Sequence, residues 1–400
     1  MQRHSVPARP YWQAKLERLG FDYHSIDGDY WQETACYRFS AAHIDLLEDS
    51  TNTLHELCLE AVDFIIRHDR FAQLGIDALS AQLIEESWRR GDASLYGRFD
   101  LVYHPLYTPT PKLLEYNADT PTSLFEASVV QWYWLQDNFP NNDQFNSIHE
   151  RLITQWRLIA ERLAATSTLT FATITDSIED VVTCRYLQDT AIQAGLETQL
   201  MDLRALGWLD SSEQSGQFVD LDDAPVQALF KLYPWEWLLE EPFAAHLSSS
   251  KTTWLEPIWK LLLSNKGLLP ILWELNPNHP NLLPSYFAAE RERLSTHHLP
   301  NGIIQKPLFS REGANISALA ADFTPTGLAT PGEYGDPATA QMIYQAMSPL
   351  PKFISAQKKP VYPVIGSWVI GNVAAGIGIR EDDSLITKDS SHFVPHYFIP

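Results

Sequence analysis

YGRFDLVYHPLYTPTPKLLEYNADTPTSLFE, residues 96–126, is the stretch on which the reading of the fold turns. Polar and apolar residues alternate in Gly97-Arg98-Phe99-Asp100-Leu101 and again in Leu114-Glu115-Tyr116-Asn117-Ala118. Strand side chains have a period of two, so Arg98 and Asp100 point the same way, as do Glu115 and Asn117. The proline- and threonine-rich link 104–111 predicts a turn between two strands. A hairpin face with a guanidinium, two carboxylates and an amide oxygen can hold a hard divalent cation and grip phosphate, the working end of an ATP-dependent enzyme. The same alternation also fits the polar outer face of an edge hairpin.

On the N-terminal side, the chain to about residue 90 reads as mostly helical, with apolar residues at three- and four-residue spacing over 43–67 and 71–89. On the C-terminal side, Asp119-Thr120-Pro121-Thr122 places hydroxyls where they cap a buried helix over 123–134. A second amphipathic helix is predicted over 143–165. A β-α-β unit follows: strand 168–175, helix 178–194 broken by Gly195, and strand 197–203. A third short strand, 227–233, leads into the Trp-rich segment 234–238, and 256–275 is apolar and helical in part. Residues 303–311, 332–343 and 361–388 read as strands and loops, so the last third is largely β. The uncharged run 363–379 has Gly371-Asn372 in its middle and predicts two buried strands rather than a membrane span. The subparts are 1–95, 96–165, 166–245 and 246–400 of one α+β unit.

With 29 basic against 50 acidic residues, the net charge of −21 opposes binding to a phosphate backbone or an anionic membrane. Nucleic acid and membrane are therefore not expected partners. Three scattered cysteines, Cys36, Cys58 and Cys184, form no disulfide framework or zinc motif. The opening MQRHSVPARPYWQ lacks an apolar core, so no signal peptide is expected and the protein reads as soluble and cytoplasmic. The sequence is silent on oligomeric state.

Other candidate residues each carry an ordinary alternative. Lys306, in the apolar run Ile303-Ile304-Gln305-Lys306-Pro307-Leu308, either snorkels outward or meets an anion. The loop Ser310-Arg311-Glu312-Gly313 could fold over phosphates through its backbone N–H groups. Lys266 fits a surface lysine, and Arg380 a solvated strand end. Glu179 and Asp180 open a helix, where acids complement the dipole, and they also follow a strand at the end where open α/β sheets bind ligands. No GxxxxGK[ST] loop, GxSxG elbow or HExxH pair occurs.

Taken in order, GRFD (97–100), LLEYNADTPTS (113–123), SIED (177–180), EPIWKLLLSNKGLLPILWELNPNHP (256–280), QKPLFSREGANI (305–316), IYQ (343–345) and GIREDDSLIT (378–387) resemble the glutathionylspermidine synthase family in its ATP-grasp ligase part. The likeness is to stand-alone bacterial acid–amine ligases without the amidase domain. It implies a circularly permuted, glutathione-synthetase-like ATP-grasp fold with a small β-α-β substrate subdomain and a helical N-terminal part. The implied reaction phosphorylates a carboxylate with ATP, releases ADP and lets an amine attack the acyl phosphate. By the same resemblance Arg98 meets the transferring phosphate, and Asp100, Glu115 and Asn117 bind two magnesium ions. Lys266 and Lys306 hold ATP phosphates, Glu312 and Gly313 lie in the covering loop, and Gln345, Ala346, Met347 and Ser348 line the adenine hinge. Phe99 and Arg380 join the nucleotide site, and Thr120, Thr122 and Glu179 hold the acyl substrate. The implied partners are a small carboxylate, glutathione or another peptide or amino acid, and an amine, possibly a polyamine.

Two positions depart from the family pattern. Leu232 stands where the family has a threonine that contacts glutathione, and Val364 where it has a nucleotide-lobe glutamine. A site built to hydrogen-bond a polar group discriminates strongly when that pairing is absent, so Leu232 leaves the acid open. The competing expectations are a non-catalytic nucleotide- or partner-binding module on the same fold, and an ATP-grasp kinase.

Overall fold

The computed structural model describes residues 1–26, 28–163, 167–210, 216–334 and 341–400. The C-terminal end of the helix read over 143–165 and half of the 332–343 reading fall on residues outside these. Three sheets frame the site. The largest is antiparallel, with spatial order His392–Val394, Val373–Asp382, Pro360–Ile370, Tyr96–His104 and Thr108–Asn117; Phe353–Ile354 also pairs with Pro360–Ile370. A five-stranded antiparallel sheet runs Ser285–Phe287, Met342–Ala346, Ile303–Pro307, Ser317–Leu319 and Pro325–Ala329. A four-stranded parallel sheet has the order Thr253–Leu255, Ala228–Leu232, Leu169–Thr173 and Thr198–Asp202. This is an α+β architecture.

The 96–126 hairpin is not a surface edge. Tyr96–His104 lies between Pro360–Ile370 and Thr108–Asn117, and all nine of its residues are buried. One face packs on the long helix Ala41–Arg67, whose Ser40 cap and His43 form a capping box. Thr51 and Ser367 join their hydroxyls at 2.7 Å across that contact, and His55 Nδ1 meets the Tyr116 hydroxyl at 3.1 Å. The other face looks into a cleft. The turn is confined to residues 105–107, because the expected link continues the second strand from Thr108.

The N-terminal part is less helical than its periodicity predicts. Gln2–Ser5 and Ala35–Ser40 form a three-stranded sheet with His396–Ile399, a pairing between the two ends of the chain. The expected helix 71–89 splits into a 3-10 turn, Phe71–Leu74, and the helix Ala78–Arg90 at Gly75, whose φ of 68° suits glycine. The helix after the hairpin passes through one π-turn, Glu126–Val130, before Gln131–Asn138. Pro360–Ile370 and Val373–Asp382 form the hairpin expected of the uncharged run, turning at Gly371 (φ 62°) and Asn372. No helix among the described residues is long and apolar enough to cross a membrane.

Candidate active site

The cleft lies between the six-stranded and five-stranded sheets, with the carboxyl ends of the parallel sheet closing one end. It encloses about 1550 Å3, part of it open to solvent. Strand register puts Arg98 opposite Asn117 and Asp100 opposite Glu115. A bulge next to this pair leaves Leu114 as the extra residue between Glu115 and Leu113. Bulges re-aim groups beside functional sites, and here the Leu114 carbonyl accepts from Lys306 Nζ at 2.8 Å. Gln345 Nε2 donates to the Leu113 carbonyl at 3.1 Å, and its Oε1 accepts from Lys306 at 2.9 Å. The irregularity in one sheet thus ties it to two residues of the other.

The charged groups of the cleft neutralise one another. Asp100 accepts from Arg98 Nε at 2.9 Å and from Arg380 Nη2 at 2.6 Å. Arg98 also donates to the Thr122 carbonyl at 2.6 Å. Lys266 Nζ lies 3.3 Å from Glu115 Oε2 and donates to the Ser310 carbonyl at 2.7 Å. Burial works to raise the Glu115 carboxyl, but Lys266, Lys306 and Arg380 together override it and hold it at about 2. Lys306 meets only neutral acceptors at hydrogen-bonding distance, and burial pushes its ammonium down to about 8 against the pull of Glu115. Lys306, Lys266 and Arg380 are therefore not the solvated groups that their ordinary alternatives supposed; the first two are buried and Arg380 is nearly so.

The loop after Ile303–Pro307 closes over this cluster. Glu312 and Gly313 both have positive φ, 55° and 71°, and a Cβ on Gly313 would lie 2.2 Å from the Thr387 carbonyl, so only glycine fits. The Ser310 hydroxyl in this loop is buried without a partner. Beyond the loop the cleft turns acidic, with Asp180, Glu236, Glu312 and Asp389 on its wall. Burial raises the Asp180 and Glu312 carboxyls, and burial with Glu126, Asp389 and Asp180 nearby takes Glu179 to about 8.

Of the residues expected from sequence, Arg98, Asp100, Glu115, Asn117, Thr120, Thr122, Lys266, Lys306, Glu312, Gly313, Gln345, Ala346, Met347, Ser348 and Arg380 all line this one cleft. Two do not. Phe99 points into the core, fully buried with its ring 3.8 Å from that of Tyr116; the period of two that aims Arg98 and Asp100 inward aims Phe99 away. Glu179 is half-buried beside the cleft, while its neighbour Asp180 lines it. In the stretch 345–348, expected to line an adenine hinge, the Ala346 and Met347 N–H groups are already taken by the Pro284 and Gly302 carbonyls. Leu232 and Val364 line the cleft, both buried.

Sequence reading placed Arg311 in the covering loop without a role of its own and left out Glu236. Arg311 donates through Nε and Nη2 to Glu236 Oε1 at 3.1 and 2.8 Å and through Nη1 to Thr120 Oγ1 at 2.5 Å. It clamps the 310–313 loop to the Trp-rich segment and to Thr120. The only signal was a basic residue in a small glycine loop.

Asp100, Glu115 and Asn117 offer oxygen donors alone, the chemistry that magnesium takes. Among the described residues no three or more His, Cys, Asp or Glu side chains gather as a metal cage. Two carboxylates and an amide still fit an ion that completes its shell with substrate phosphate and water. Arg98, Lys266, Lys306 and Arg380 together fit a polyphosphate.

A cleft between an antiparallel sheet and a smaller lobe, with paired carboxylates facing buried lysines, fits the class that the family and its named relatives show, an ATP-dependent carbon–nitrogen ligase of the ATP-grasp type. The glutathionylspermidine synthase preATP-grasp family model matches residues 3–399, and the chain belongs to that family. It is 40% identical over 407 residues, 98% of both chains, to a Haemophilus influenzae protein provisionally named an acid–amine ligase. It is 27% identical to trypanothione synthetase of Crithidia fasciculata and 28% identical to the bifunctional glutathionylspermidine synthetase/amidase of Escherichia coli. Those matches cover 95% and 86% of this chain but only 57% and 56% of the relatives' length. A glutathione synthetase-like effector from Globodera pallida shares the fold, with a TM-score of 0.59 at 10% identity over 99% of this chain and all of that one.

Proposed function

We propose that this chain joins a small-molecule carboxylate to an amine, using MgATP to make an acyl phosphate. The observation that carries this reading is the convergence of Arg98, Lys266, Lys306 and Arg380 on the cross-strand pair Asp100 and Glu115. Asp100, Glu115 and Asn117 would hold two magnesium ions, which supply charge neutralisation and orientation to the phosphates. Lys266 and Lys306 exchange their present partners for β- and γ-phosphate oxygens. Arg98 and Arg380 turn from Asp100 toward the transferring phosphoryl group, whose charge is spread over its oxygens. The Ser310–Gly313 loop covers the phosphates, and the stretch Gln345 to Ser348 borders the base. No protein nucleophile is required, so catalysis is positioning and charge stabilisation.

The acid would occupy the corner of Thr120, Thr122 and Arg311, beside Leu232. The amine would approach from the acidic end lined by Asp180, Glu312 and Asp389, which suits a cationic amine; a polyamine is one candidate and glutathione one candidate acid. ADP release should be screened over glutathione, other γ-glutamyl peptides and amino acids paired with polyamines and amino acids. Release that needs both acid and amine, and that falls about 100- to 1000-fold or more in Asp100→Asn, is expected from loss of one transition-state contact. An unchanged rate in Asp100→Asn with a responsive pair would overturn the metal assignment.

A further inference from the structure

Residues 118–122 leave the strand Thr108–Asn117 and carry the corner proposed for the acid, and their polar groups are held one by one. The Ala118 and Asp119 N–H groups donate to Ser264 Oγ at 3.0 and 2.9 Å. Thr120 Oγ1 accepts from Arg311 Nη1 at 2.5 Å, and the Thr122 carbonyl accepts from Arg98 at 2.6 Å. The Asp119 carboxylate ties the segment to the parallel sheet. Its Oδ1 accepts from Lys231 Nζ at 2.7 Å, and its Oδ2 from the Trp235 N–H at 2.7 Å. Lys231 also donates to the Tyr233 carbonyl at 2.8 Å, so the strand end 231–235 closes around that carboxylate. Leu232 lies between these anchors and lines the cleft. Ser264 lines it too, just before Lys266, which lies 3.3 Å from Glu115. Asp119 is thus the point where the carboxylate hairpin, the Lys266 turn and the strand end at Leu232 are joined.

Stability alone does not account for a charged pair at this point. Both side chains are 0% exposed. The cost of withdrawing two charges from water offsets most of their attraction, and an apolar pair of similar volume is often as stable or more so. What the carboxylate supplies and an apolar contact lacks is direction. Each oxygen accepts along a preferred line, one from the Lys231 side chain and one from the Trp235 backbone. Asp119 and Lys231 stand behind the cleft wall, while their chain neighbours Thr120 and Leu232 form it.

We propose that Asp119 and Lys231 are a positioning pair for the acid. They set the corner of Thr120 and Leu232 at a fixed distance and angle from Arg98 and Lys266, and so hold the carboxylate in line with the phosphoryl group it takes, without touching it. The assignment rests on the ligase reading and on the placing of the acid at that corner. Nucleotide binding should not depend on the pair. Lys266 is held by Glu115 and the Ser310 carbonyl, Lys306 by the Leu114 carbonyl and Gln345, and Arg380 by Asp100.

Lys231→Met strands the Asp119 charge, so the test turns on Lys231→Met/Asp119→Asn. This variant removes both charges, leaves the backbone bonds to Ser264 and keeps an oxygen for the Trp235 N–H. Acid activation is read with hydroxylamine, which attacks an acyl phosphate, releases inorganic phosphate and leaves a hydroxamate, so the amine site plays no part. The acids of the ADP-release panel are varied at saturating MgATP. The expected result is a fall of about 10- to 100-fold in kcat/KM for the acid, the scale of a misplacement of about 1 Å. The double variant should melt closer to the parent than Lys231→Met does, and by calorimetry it should bind magnesium AMP-PNP as the parent does. A pair that only stabilised the fold would return activity along with stability. Parent-like kcat/KM in the double variant therefore overturns the assignment, and so does loss of AMP-PNP binding. A parent that forms no hydroxamate with any acid overturns the ligase reading, and this assignment with it.

Discussion

Lys231→Met is the substitution whose cost the geometry fixes most closely. Lys231 Nζ donates to Asp119 Oδ1 at 2.7 Å and to the Tyr233 carbonyl at 2.8 Å, and sits 4.5 Å from the centre of the Trp235 ring. The second Asp119 oxygen accepts from the Trp235 N–H at 2.7 Å. Both side chains are 0% exposed. Methionine keeps much of the length and packing of lysine, so the loss is chiefly electrostatic. It leaves Asp119 ionised, buried and held by a single backbone N–H. Breaking a buried pair from one side costs about 3–5 kcal/mol, against a total stability of about 5–15 kcal/mol for a folded domain. Adding Asp119→Asn removes the stranded charge and keeps an oxygen for the Trp235 N–H. Because removing both charges of a buried pair is often near neutral, the double variant should recover about 2 kcal/mol or more of the loss. Urea unfolding followed by circular dichroism and tryptophan fluorescence gives the cycle. The reasoning is refuted if Lys231→Met lies within about 1 kcal/mol of the parent, below the range for a buried pair, or if the double variant is no more stable than the single.

Three further outcomes follow from named groups. The Lys306 ammonium is depressed to about 8 by burial, and phosphate oxygens should raise it; ATP binding at pH 8–9 should therefore take up a proton, seen as calorimetric heats that vary with buffer ionisation enthalpy and lost in Lys306→Gln. The Glu179 carboxyl is raised from 4.5 to about 8, so the folded state holds a proton that the unfolded chain has released; stability should fall as pH rises from about 4.5 to about 8, and thermal melts of Glu179→Gln should lack that slope. Leu232→Thr places a hydroxyl at the acid corner and should raise turnover with glutathione about two- to tenfold, the worth of one hydrogen bond; unchanged turnover would remove Leu232 from the account of specificity.

How far the sequence could be read depended on how local the physics was. The hairpin at 96–126 was legible because strand alternation acts over five residues, and the 363–379 pair because Gly371-Asn372 marks its turn. The alternation, applied strictly, also excludes Phe99 from the site, since it lies between two residues that face the cleft. Arg311 and Glu236 were not legible as a pair: they lie 75 residues apart, and only the packing of the covering loop on the Trp-rich segment brings them together. The pairing of Ala35–Ser40 with His396–Ile399 is more distant still, and no local period reports it. The depth of Lys266 and Lys306 was invisible for a related reason, because a lysine within an apolar run looks alike whether it snorkels or is covered by a second sheet.

The central claim is that the cleft transfers phosphate to a carboxylate before an amine attacks. It is tested most directly by following oxygen-18 from the labelled carboxyl of a responsive acid during turnover with unlabelled ATP and amine. The account predicts one labelled oxygen in the inorganic phosphate for each amide formed, with ADP as the nucleotide product. Amide formed with unlabelled phosphate, or with AMP as the product, would contradict it.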